Sequence, residues 1–395
     1  MINRADVVFA SLTEAAKERR RLTVREVPTK RRLAWLAAVV VGLAVLVGAV
    51  GATTGSARPS GATAGPRVAF LLPENVTPRW EGFDHPAFVK ALHRLMPSVT
   101  IDVLNAQNSP GTQQSQAEQE ITKGAKVLVV AAIDGKAFGA VAQRAISQGV
   151  KVVAYDRLIS NAKLSAYVSF DSVAVGKNMG VWMKAHTKTG ARVAIINGSV
   201  TDANAHDVNK GMLSIFRPLF KSGKRKVVGP KNGTWTPGWD PPTAQREMEQ
   251  LLTKYHNKID AVLSANDGMA GGIIAALKSQ HKAGKVPVTG QDASLEGVQN
   301  IVRGTQGMTV FKDIRKQAPA AAKITAAILQ HKKLPGINKK VNNGAGKIPS
   351  VILPVLAVDA HNLKLLVTNG WVKTFLGGLK TVCKNVPKRN ICKGH

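Results

Sequence analysis

The chain has 395 residues, more than one core usually serves, so we expect two lobes or domains with accessory segments. A hydrophobic content of 44% with 20% charged residues is typical of a globular protein and argues against a disordered chain. The formal charge is +31, but Lys and Arg are scattered singly and few aromatic residues lie among them, so we predict a solvated basic surface and no nucleic-acid partner. That surface could face an anionic cell wall, a lipid layer or an acidic medium, and the sequence leaves these alternatives open.

An apolar segment near the N-terminus indicates the compartment. Residues 33–52 are 20 positions without a charge, about the length that a helix needs to cross a bilayer. Residues 1–32 contain nine Lys and Arg, three of them directly before the apolar segment, so the positive-inside bias keeps this basic head in the cytoplasm and places the rest of the chain outside. A cleaved signal peptide is the alternative, but the long head favours an uncleaved transmembrane anchor.

After the apolar segment the composition changes twice. Residues 53–66 are built of Gly, Ser, Thr, Ala and Pro with a single charge, which predicts a flexible tether. From Arg67 onward, two series of short apolar runs alternate with helical stretches such as 86–96, 113–123 and 242–255. The runs are RVAFLL, VTIDVL, KVLVVAA, KVVAY and AYVSF, and then RVAIING, KVVG, AVLSA, VPVTG and MTVF. The sequence therefore predicts an α/β protein with two doubly wound parallel-sheet lobes.

Nearly every predicted strand ends on a polar or aromatic residue. In open parallel sheets, ligands bind outside the carboxyl ends of the strands, where side chains from several strands converge. An Asp or Asn at such a point is, taken alone, more often a turn former or a helix N-cap, but its recurrence on both series of strands favours a ligand site. The candidate residues are Arg79, Trp80, Asp156, Arg157, Asp202, Asn204, Trp239, Asn266, Asp292 and Lys312.

The chemistry of these ten side chains indicates the class of ligand. Three carboxylates against three cationic groups leave the site near neutral, and a ligand hydroxyl can donate to a carboxylate and accept from a guanidinium in charge-assisted hydrogen bonds. Trp80 and Trp239 offer flat apolar faces to the C–H face of a ring, so the combination predicts a monosaccharide site. An anionic ligand would require an excess of Arg and Lys or a glycine-ringed helix N-terminus, and no Walker-type loop occurs. We predict neither a cofactor nor a metal.

Longer stretches carry a resemblance to a known family. They are RW at 79, YDRLI at 155, SFDSVAVG at 169, DANA at 202, PGW at 237, NKIDAVLSANDGMAGG at 257, GQDAS at 290 and MTVFK at 308. In order and spacing they resemble the type I periplasmic sugar-binding proteins, and within that group the D-xylose-binding components of bacterial ABC importers. The similarity covers about residues 67–372.

The resemblance implies a fold, a site and a partner. The fold would be two periplasmic-binding-protein type I lobes joined by a hinge of three crossing strands, near 171–175, 310–312 and 352–358. The site would hold a pyranose between the lobes by the ten residues named above, and the partner would be an ABC sugar permease. The implied division is 67–173 and 311–352 for the N-terminal lobe, 174–310 and 353–382 for the C-terminal lobe, and 383–395 for a basic tail.

Both ends of the chain depart from that family. Its members are usually soluble or lipid-tethered, whereas a head and an apolar segment stand here. The approach to Arg79 reads PENVTP rather than an acid-rich loop, and the tail beyond Val372 has no counterpart. Cys383 and Cys392 predict one disulfide in an exported chain, with two free thiols as the alternative.

Two functions stay open at this point. The first is an extracytoplasmic receptor that captures a monosaccharide, most simply D-xylose, and delivers it to an ABC importer. The second is a membrane-anchored sensor that signals sugar binding to a kinase or chemoreceptor. An enzyme is not expected, because no G-x-S-x-G, H-E-x-x-H or C-x-x-C motif occurs and flanking basic residues would keep Asp156 and Asp292 ionised, so that neither could act as a general acid.

Overall fold

The computed structural model describes residues 65–394. The predicted head at 1–32, the apolar segment at 33–52 and nearly all of the predicted tether at 53–66 lie outside this range, and so does the last residue of the tail. Between residues 65 and 394, no helix combines the length and the apolar character needed to cross a bilayer.

Strands and helices alternate along most of the described chain. The strands are β1 (Arg67–Leu72), β2 (Thr100–Asn105), β3 (Val127–Val130), β4 (Lys151–Tyr155), β5 (Ala166–Phe170), β6 (Arg192–Asn197), β7 (Lys226–Val228), β8 (Thr234–Trp235), β9 (Ala261–Ser264), β10 (Met308–Phe311), β11 (Lys339–Asn342), β12 (Lys347–Leu353) and β13 (Leu356–Asp359). The helices are α1 (His85–Leu95), α2 (Pro110–Thr122), α3 (Ala137–Ser147), α4 (Ser172–Ala185), α5 (Ala203–Lys221), α6 (Pro241–Lys254), α7 (Asp267–Ser279), α8 (Leu295–Arg303), α9 (Ile314–Leu329), α10 (Lys364–Thr368), α11 (Trp371–Phe375) and α12 (Leu379–Val382). Short helical turns occur at Trp80–Asp84, Pro237–Trp239 and Asn390–Cys392.

The first sheet has seven strands in the order β11-β12-β5-β4-β3-β1-β2. All neighbours are parallel except β11 and β12. Its central strands are apolar on both faces: in β1, Val68, Phe70 and Leu72 point to one side, and Ala69 and Leu71 to the other. Helices α1 and α9 cover the first side, and α2 and α3 cover the second. This sheet with these helices is called the first lobe below.

The second sheet is smaller and has β6 as its central strand. Strands β7, β8 and β9 all pair with β6 in parallel. Its core includes side chains from helices α4, α5, α6 and α7, and this sheet with α4–α8 is called the second lobe below. The strand predicted over 286–290 is reduced to two isolated parallel bridges, one between Val288 and Val262 and one between Val286 and Ala283. Pro287 offers no N–H to a ladder, which is one reason that a regular strand does not form there.

Three stretches of chain connect the two lobes. The chain passes from β5 into α4, from β10 into α9, and from β12 into β13, which pairs with β10 in antiparallel orientation. The predicted α/β architecture with parallel sheets is confirmed. A hinge motion at these connections and the residue-level lobe boundaries stay predictions.

The C-terminal segment folds back onto the second lobe. Helices α10, α11 and α12 and the turn at Asn390–Cys392 pack against α8 and β10 around a common apolar cluster. A disulfide joins Cys383 and Cys392. The amide of Gln299 donates to the backbone oxygen of Thr381 at 3.2 Å, which ties α8 to this segment.

Helices α4 and α5 approach each other closely because glycines stand at their contact. A methyl group placed on Gly211 would lie 2.2 Å from the backbone oxygen of Val173 and 2.7 Å from the backbone nitrogen of Lys177. Backbone atoms cannot yield as a flexible side chain can, so Gly211→Ala should lower the free energy of unfolding by about 3 kcal/mol. Urea unfolding measures this change.

Gly111 provides the matched control for that substitution. It lies in α2, and a methyl group added to it would meet nothing within 4 Å. Gly111→Ala should leave the unfolding free energy unchanged or raise it by up to about 1 kcal/mol, because alanine restricts the unfolded chain. Equal losses in the two variants would contradict the close helix contact.

Candidate functional site

One cavity between the two lobes brings together every predicted site residue. It is lined by Arg79, Trp80, Asp156 and Arg157 from the first lobe, by Asp202, Asn204, Trp239, Asn266 and Asp292 from the second, and by Lys312 after β10. We call it the polar cavity. Thr77, Ser172 and Gln291 also line it. That these side chains bind a ligand stays a prediction.

Three of the lining residues stand in left-handed backbone conformations. The φ angle is +61° at Asp156, +58° at Trp239 and +98° at Asp292. Such conformations cost non-glycine residues on the order of 1 kcal/mol each and concentrate at functional sites. Trp239 also needs Gly198 beside it, because a methyl group there would lie 2.3 Å from the indole ring. The chain therefore accepts strain to direct these side chains into the cavity.

Arg79 is held by a dense set of buried partners. Its Nε and Nη2 donate to the two carboxylate oxygens of Asp84 at 2.7 and 2.9 Å. Nη1 donates to Oδ2 of Asp156 at 2.9 Å, and Nη2 also donates to Oε1 of Gln317 at 2.6 Å. Most of its donors are thus already used, so Arg79 positions Asp156 and leaves little capacity for a ligand.

Asp156 is the meeting point of both lobes. Besides Arg79, its Oδ2 accepts from Nε2 of Gln317 at 3.1 Å, and its Oδ1 accepts from Nδ2 of Asn204, in the second lobe, at 3.0 Å. Burial by itself raises the pKa of Asp156, but the positive charges of Arg79, Lys312 and Arg157 and the hydrogen bond from Gln317 outweigh it and lower the pKa to about 2. Asp156 is therefore ionised at neutral pH.

A second contact between the lobes joins Arg157 and Asp202. Nε of Arg157 lies 3.0 Å from Oδ2 of Asp202, and the same oxygen accepts from Nε1 of Trp239 at 3.1 Å. The other oxygen of Asp202 accepts from the backbone nitrogen of Asn204 at 2.9 Å and caps α5. Asp202 therefore caps α5 and also lines the polar cavity. For this acid, the N-cap interpretation and the cavity interpretation are both correct. Burial raises its pKa despite the charge of Arg157.

Trp80 packs among charged groups of the first lobe. The guanidinium carbons of Arg79 and Arg157 lie 4.5 and 5.4 Å from its ring centroid, in cation–π geometry. Its Nε1 donates to the buried carboxylate of Glu74, which also accepts from the backbone nitrogen of Thr77 at 2.8 Å. Trp80 therefore orients the two arginines, and a stacking role against a ligand ring stays a prediction.

Asn266, Asp292 and Lys312 keep hydrogen-bonding capacity for a ligand. Oδ1 of Asn266 caps α7 by accepting from the backbone nitrogen of Met269 at 2.9 Å, which leaves its amide donors. Nζ of Lys312 lies 2.8 Å from Oδ1 of Asp292, yet this buried oxygen receives no directed hydrogen bond from the part of the chain that is described. A carboxylate oxygen can accept more than one hydrogen bond, so beside Lys312 this oxygen has room for a ligand hydroxyl.

Sequence analysis missed the residues that support the site from behind. Glu74 and Asp84 are almost fully buried acids near Arg79, and Gln317 lies on α9, 161 positions after Asp156. Two acids close to Arg79 in a chain that has few acids were a usable signal. Gln317 offered none, because only the packing of α9 against the first sheet brings it to the site.

The lining of the polar cavity is balanced in charge. Arg79, Arg157 and Lys312 face Asp156, Asp202 and Asp292, as the sequence predicted. No cluster of metal-ligating side chains occurs within residues 65–394. The free energy gained by a buried ion pair is largely offset by the desolvation of its charges. Such a group of charged side chains around one cavity is therefore better explained by ligand binding than by stability.

Comparison with known proteins assigns the family. A model of the periplasmic binding protein domain matches residues 68–333. The chain belongs to the periplasmic binding protein family. The resemblance found in the sequence and the type I fold that it implied are thereby confirmed.

Individual periplasmic binding proteins resemble the chain over most of its length. The D-xylose-binding periplasmic protein of Escherichia coli is 38% identical over 286 residues, which are 72% of this chain and 84% of that protein. The multiple sugar-binding periplasmic receptor ChvE of Rhizobium radiobacter is 36% identical over 325 residues, 78% of this chain and 90% of that protein. An ABC transporter solute-binding protein from Clostridium phytofermentans, solved with bound β-D-glucose, has a TM-score of 0.72 at 33% identity and covers 77% of this chain and 98% of that one.

Membership of this family decides two further points. A periplasmic binding protein is a solute receptor, so the expectation that the chain is not an enzyme is confirmed. It works outside the cytoplasm, which confirms the extracytoplasmic location. The N-terminal anchor stays a prediction.

Asp156 should make the stability of the protein depend on pH. Its folded pKa of about 2 lies below the ordinary 3.8, so its ionisation stabilises the fold above about pH 4, and this contribution is lost as the pH falls toward 2. The contribution amounts to roughly 2 kcal/mol. Urea unfolding between about pH 4.5 and 2.5 should therefore show a smaller loss of stability in Asp156→Asn than in the unchanged protein. Equal losses would contradict the depressed pKa.

Proposed function

We propose that this protein captures a monosaccharide, D-xylose in the first place, in the polar cavity between its lobes and delivers it to the permease of an ABC importer. The observation that carries the proposal is that all ten residues expected to bind a sugar line one cavity. Their charges cancel, so the cavity suits a neutral ligand that offers several hydroxyl groups.

The arrangement of polar groups supports recognition of hydroxyls. Oδ1 of Asp292 is buried with the ammonium of Lys312 2.8 Å away, and within residues 65–394 it accepts no hydrogen bond from another group. A sugar hydroxyl can donate to this carboxylate and accept from the lysine or from the amide of Asn266. Trp239 adds an indole ring that Asp202 fixes by a hydrogen bond, and its face can cover the apolar side of a pyranose.

The relatives support a pentose but leave room for other monosaccharides. The protein from Escherichia coli is a D-xylose-binding protein, whereas the receptor from Rhizobium radiobacter is described as binding multiple sugars and the Clostridium phytofermentans protein holds glucose. D-xylose and D-glucose share the same pattern of ring hydroxyls and differ by one hydroxymethyl group. The space beside that position decides between them.

Delivery to a permease follows from closure of the lobes. A closed pair of lobes presents a surface that the open pair does not, and a partner can recognise this difference.

We further propose that the segment at 33–52 anchors the receptor to the cell membrane, which would keep it close to the permease. Proteolytic shaving of intact cells should then release a fragment beginning between residues 53 and 66, and recovery of the mature chain from the medium would contradict the anchor.

Calorimetric titration of the purified full chain with D-xylose, L-arabinose, D-ribose and D-glucose tests the proposed function. We expect saturable heat with D-xylose and weaker or no heat with D-ribose, whose hydroxyl pattern differs. Absence of binding to every one of these sugars would overturn the proposal.

Two substitutions test the polar cavity itself. Trp239→Ala removes the indole face, and Asp292→Asn removes a buried charge-assisted acceptor while it keeps the side-chain shape. Each should weaken the binding of D-xylose at least about 30-fold, since each deletes an interaction of about 2 kcal/mol. Calorimetry measures the affinity, and thermal unfolding checks that the variants stay folded.

Trp235→Ala is the matched control. Trp235 lies in β8, four residues before Trp239, and packs on His206 instead of lining the polar cavity. Its removal should change the affinity less than 2-fold, where a 30-fold loss corresponds to about 2 kcal/mol. Unchanged affinity in Trp239→Ala, or equal loss in both tryptophan variants, would tell against the site.

A further inference from the structure

A second cavity lies next to the polar cavity. Its volume is about 470 Å³, and it adjoins the polar cavity because the two share lining residues, which are Thr77, Arg79, Trp239, Asn266, Asp292 and Lys312. Its other walls are mainly aromatic and aliphatic, and we call it the apolar chamber. The apolar side chains that define it are chiefly Phe83, Leu295, Ile314, Trp371, Phe375 and Leu376.

The walls of the apolar chamber come from both lobes and from the C-terminal segment. Phe83 belongs to the helical turn before α1, Leu295 begins α8, and Phe375 ends α11. The rings of Phe83 and Phe375 meet edge to face with 4.3 Å between their centroids. This contact joins the first lobe to the C-terminal segment at one side of the chamber.

The C-terminal wall is fixed from behind. Trp371 stacks on Phe375 with 4.2 Å between ring centroids, and its Nε1 donates to the backbone oxygen of Ala293 at 2.9 Å. The guanidinium of Arg315 lies 5.7 and 6.0 Å from the centroids of these two rings, and its Nη1 donates to the backbone oxygen of Asn369 at 2.7 Å. These contacts keep the aromatic side chains from collapsing into the chamber.

Apolar walls of this extent are unusual where water can reach them. The chamber is partly open to solvent, so its aromatic and aliphatic side chains present apolar surface to water, and contiguous exposed apolar surface on a soluble protein commonly marks a binding site. A space that is held open by stacked rings and hydrogen bonds, and that adjoins the polar cavity, therefore indicates an occupant. Because the chamber begins where the polar cavity ends, that occupant is part of the same ligand.

We propose that the apolar chamber receives an apolar substituent of the bound sugar, so that the protein binds aryl or alkyl glycosides as well as the free monosaccharide. The inference rests on the proposed function, since a sugar ring in the polar cavity is what brings the substituent to the chamber. An aryl group would bury its surface against Phe83 and Phe375 in edge or offset-stacked geometry.

A second sugar ring fits the chamber less well. It would bring several hydroxyls, and the polar side chains of the chamber outside the polar cavity are few, chiefly Asp267, Ser294, Glu296 and Gln299. Asp267 already accepts hydrogen bonds from Gln306 and Thr309. Hydroxyls left without partners against aromatic walls would cost affinity.

Calorimetric titration of the purified full chain tests the inference with four ligands. They are D-xylose, p-nitrophenyl α-D-xylopyranoside, p-nitrophenyl β-D-xylopyranoside and xylobiose. We expect one of the two nitrophenyl anomers to bind as tightly as D-xylose or up to about 10-fold more tightly, and xylobiose to bind more weakly than that anomer. If D-glucose proves the preferred monosaccharide, the corresponding glucosides and cellobiose take their place.

The variant Phe375→Ala locates the substituent. It should weaken the binding of the nitrophenyl glycoside about 10-fold and change the affinity for the free sugar less than 2-fold. Phe220→Ala is the control, because Phe220 packs on Phe216 in α5 and lines neither cavity. Phe375→Leu, a smaller change, serves if the alanine variant fails to fold.

The outcomes separate this inference from the proposed function. If free monosaccharide binds but both nitrophenyl anomers bind more than about 100-fold more weakly, the lobes close on a bare sugar and the inference is wrong. Equal loss of affinity for the free sugar and the glycoside in Phe375→Ala would also overturn it. If no free monosaccharide binds at all, the proposed function fails, and the inference fails with it.

Discussion

The partnering of buried charges around the polar cavity is the constraint on which the site depends. A charge taken out of water costs several kcal/mol unless hydrogen-bonded partners surround it. Arg79 meets this condition through Asp84, Asp156 and Gln317, which lie on separate elements of the first lobe. Each partner is in turn held by the packing of its own element. The side chains that face the polar cavity are therefore fixed by the fold of the whole lobe.

The same constraint explains where the chain gives up stability. Asp156, Trp239 and Asp292 adopt left-handed backbone, and the indole of Trp239 excludes any side chain at Gly198. Trp239 also packs into the apolar cluster of the second lobe, so its ring serves both the core and the polar cavity. The backbone strain at these three residues is explained by the need to direct carboxylates and an indole into the polar cavity.

Sequence reasoning could predict the strands and the site because both depend on local signals. Buried parallel strands are continuous apolar runs, and the carboxyl ends of the strands in one sheet share one edge, so the candidate residues within each lobe were expected to lie together. The expectation that Asp156 and Asp292 meet between the lobes came from the resemblance to the family. Gln317 and the apolar chamber could not be predicted, because they depend on how α9 and the C-terminal segment pack. The segment at 286–290 was misjudged, since valines around Pro287 look like a strand while the proline prevents a full ladder. Membership of the family explains why the site residues were recognisable from the sequence. It does not explain the wall of the apolar chamber that Trp371 and Phe375 form.

Two of the contacts between the lobes use protein atoms alone. Arg157 pairs with Asp202, and Asn204 donates to Asp156, each across the cleft. If the lobes open and close on the proposed hinge, these two contacts stabilise the closed form without a ligand and raise its share of the ligand-free protein. The ligand then contributes less free energy to closure, but it meets a larger fraction of receptors that are already in the closed form. Under that proposal, a permease that recognised only the closed shape would also engage ligand-free receptors.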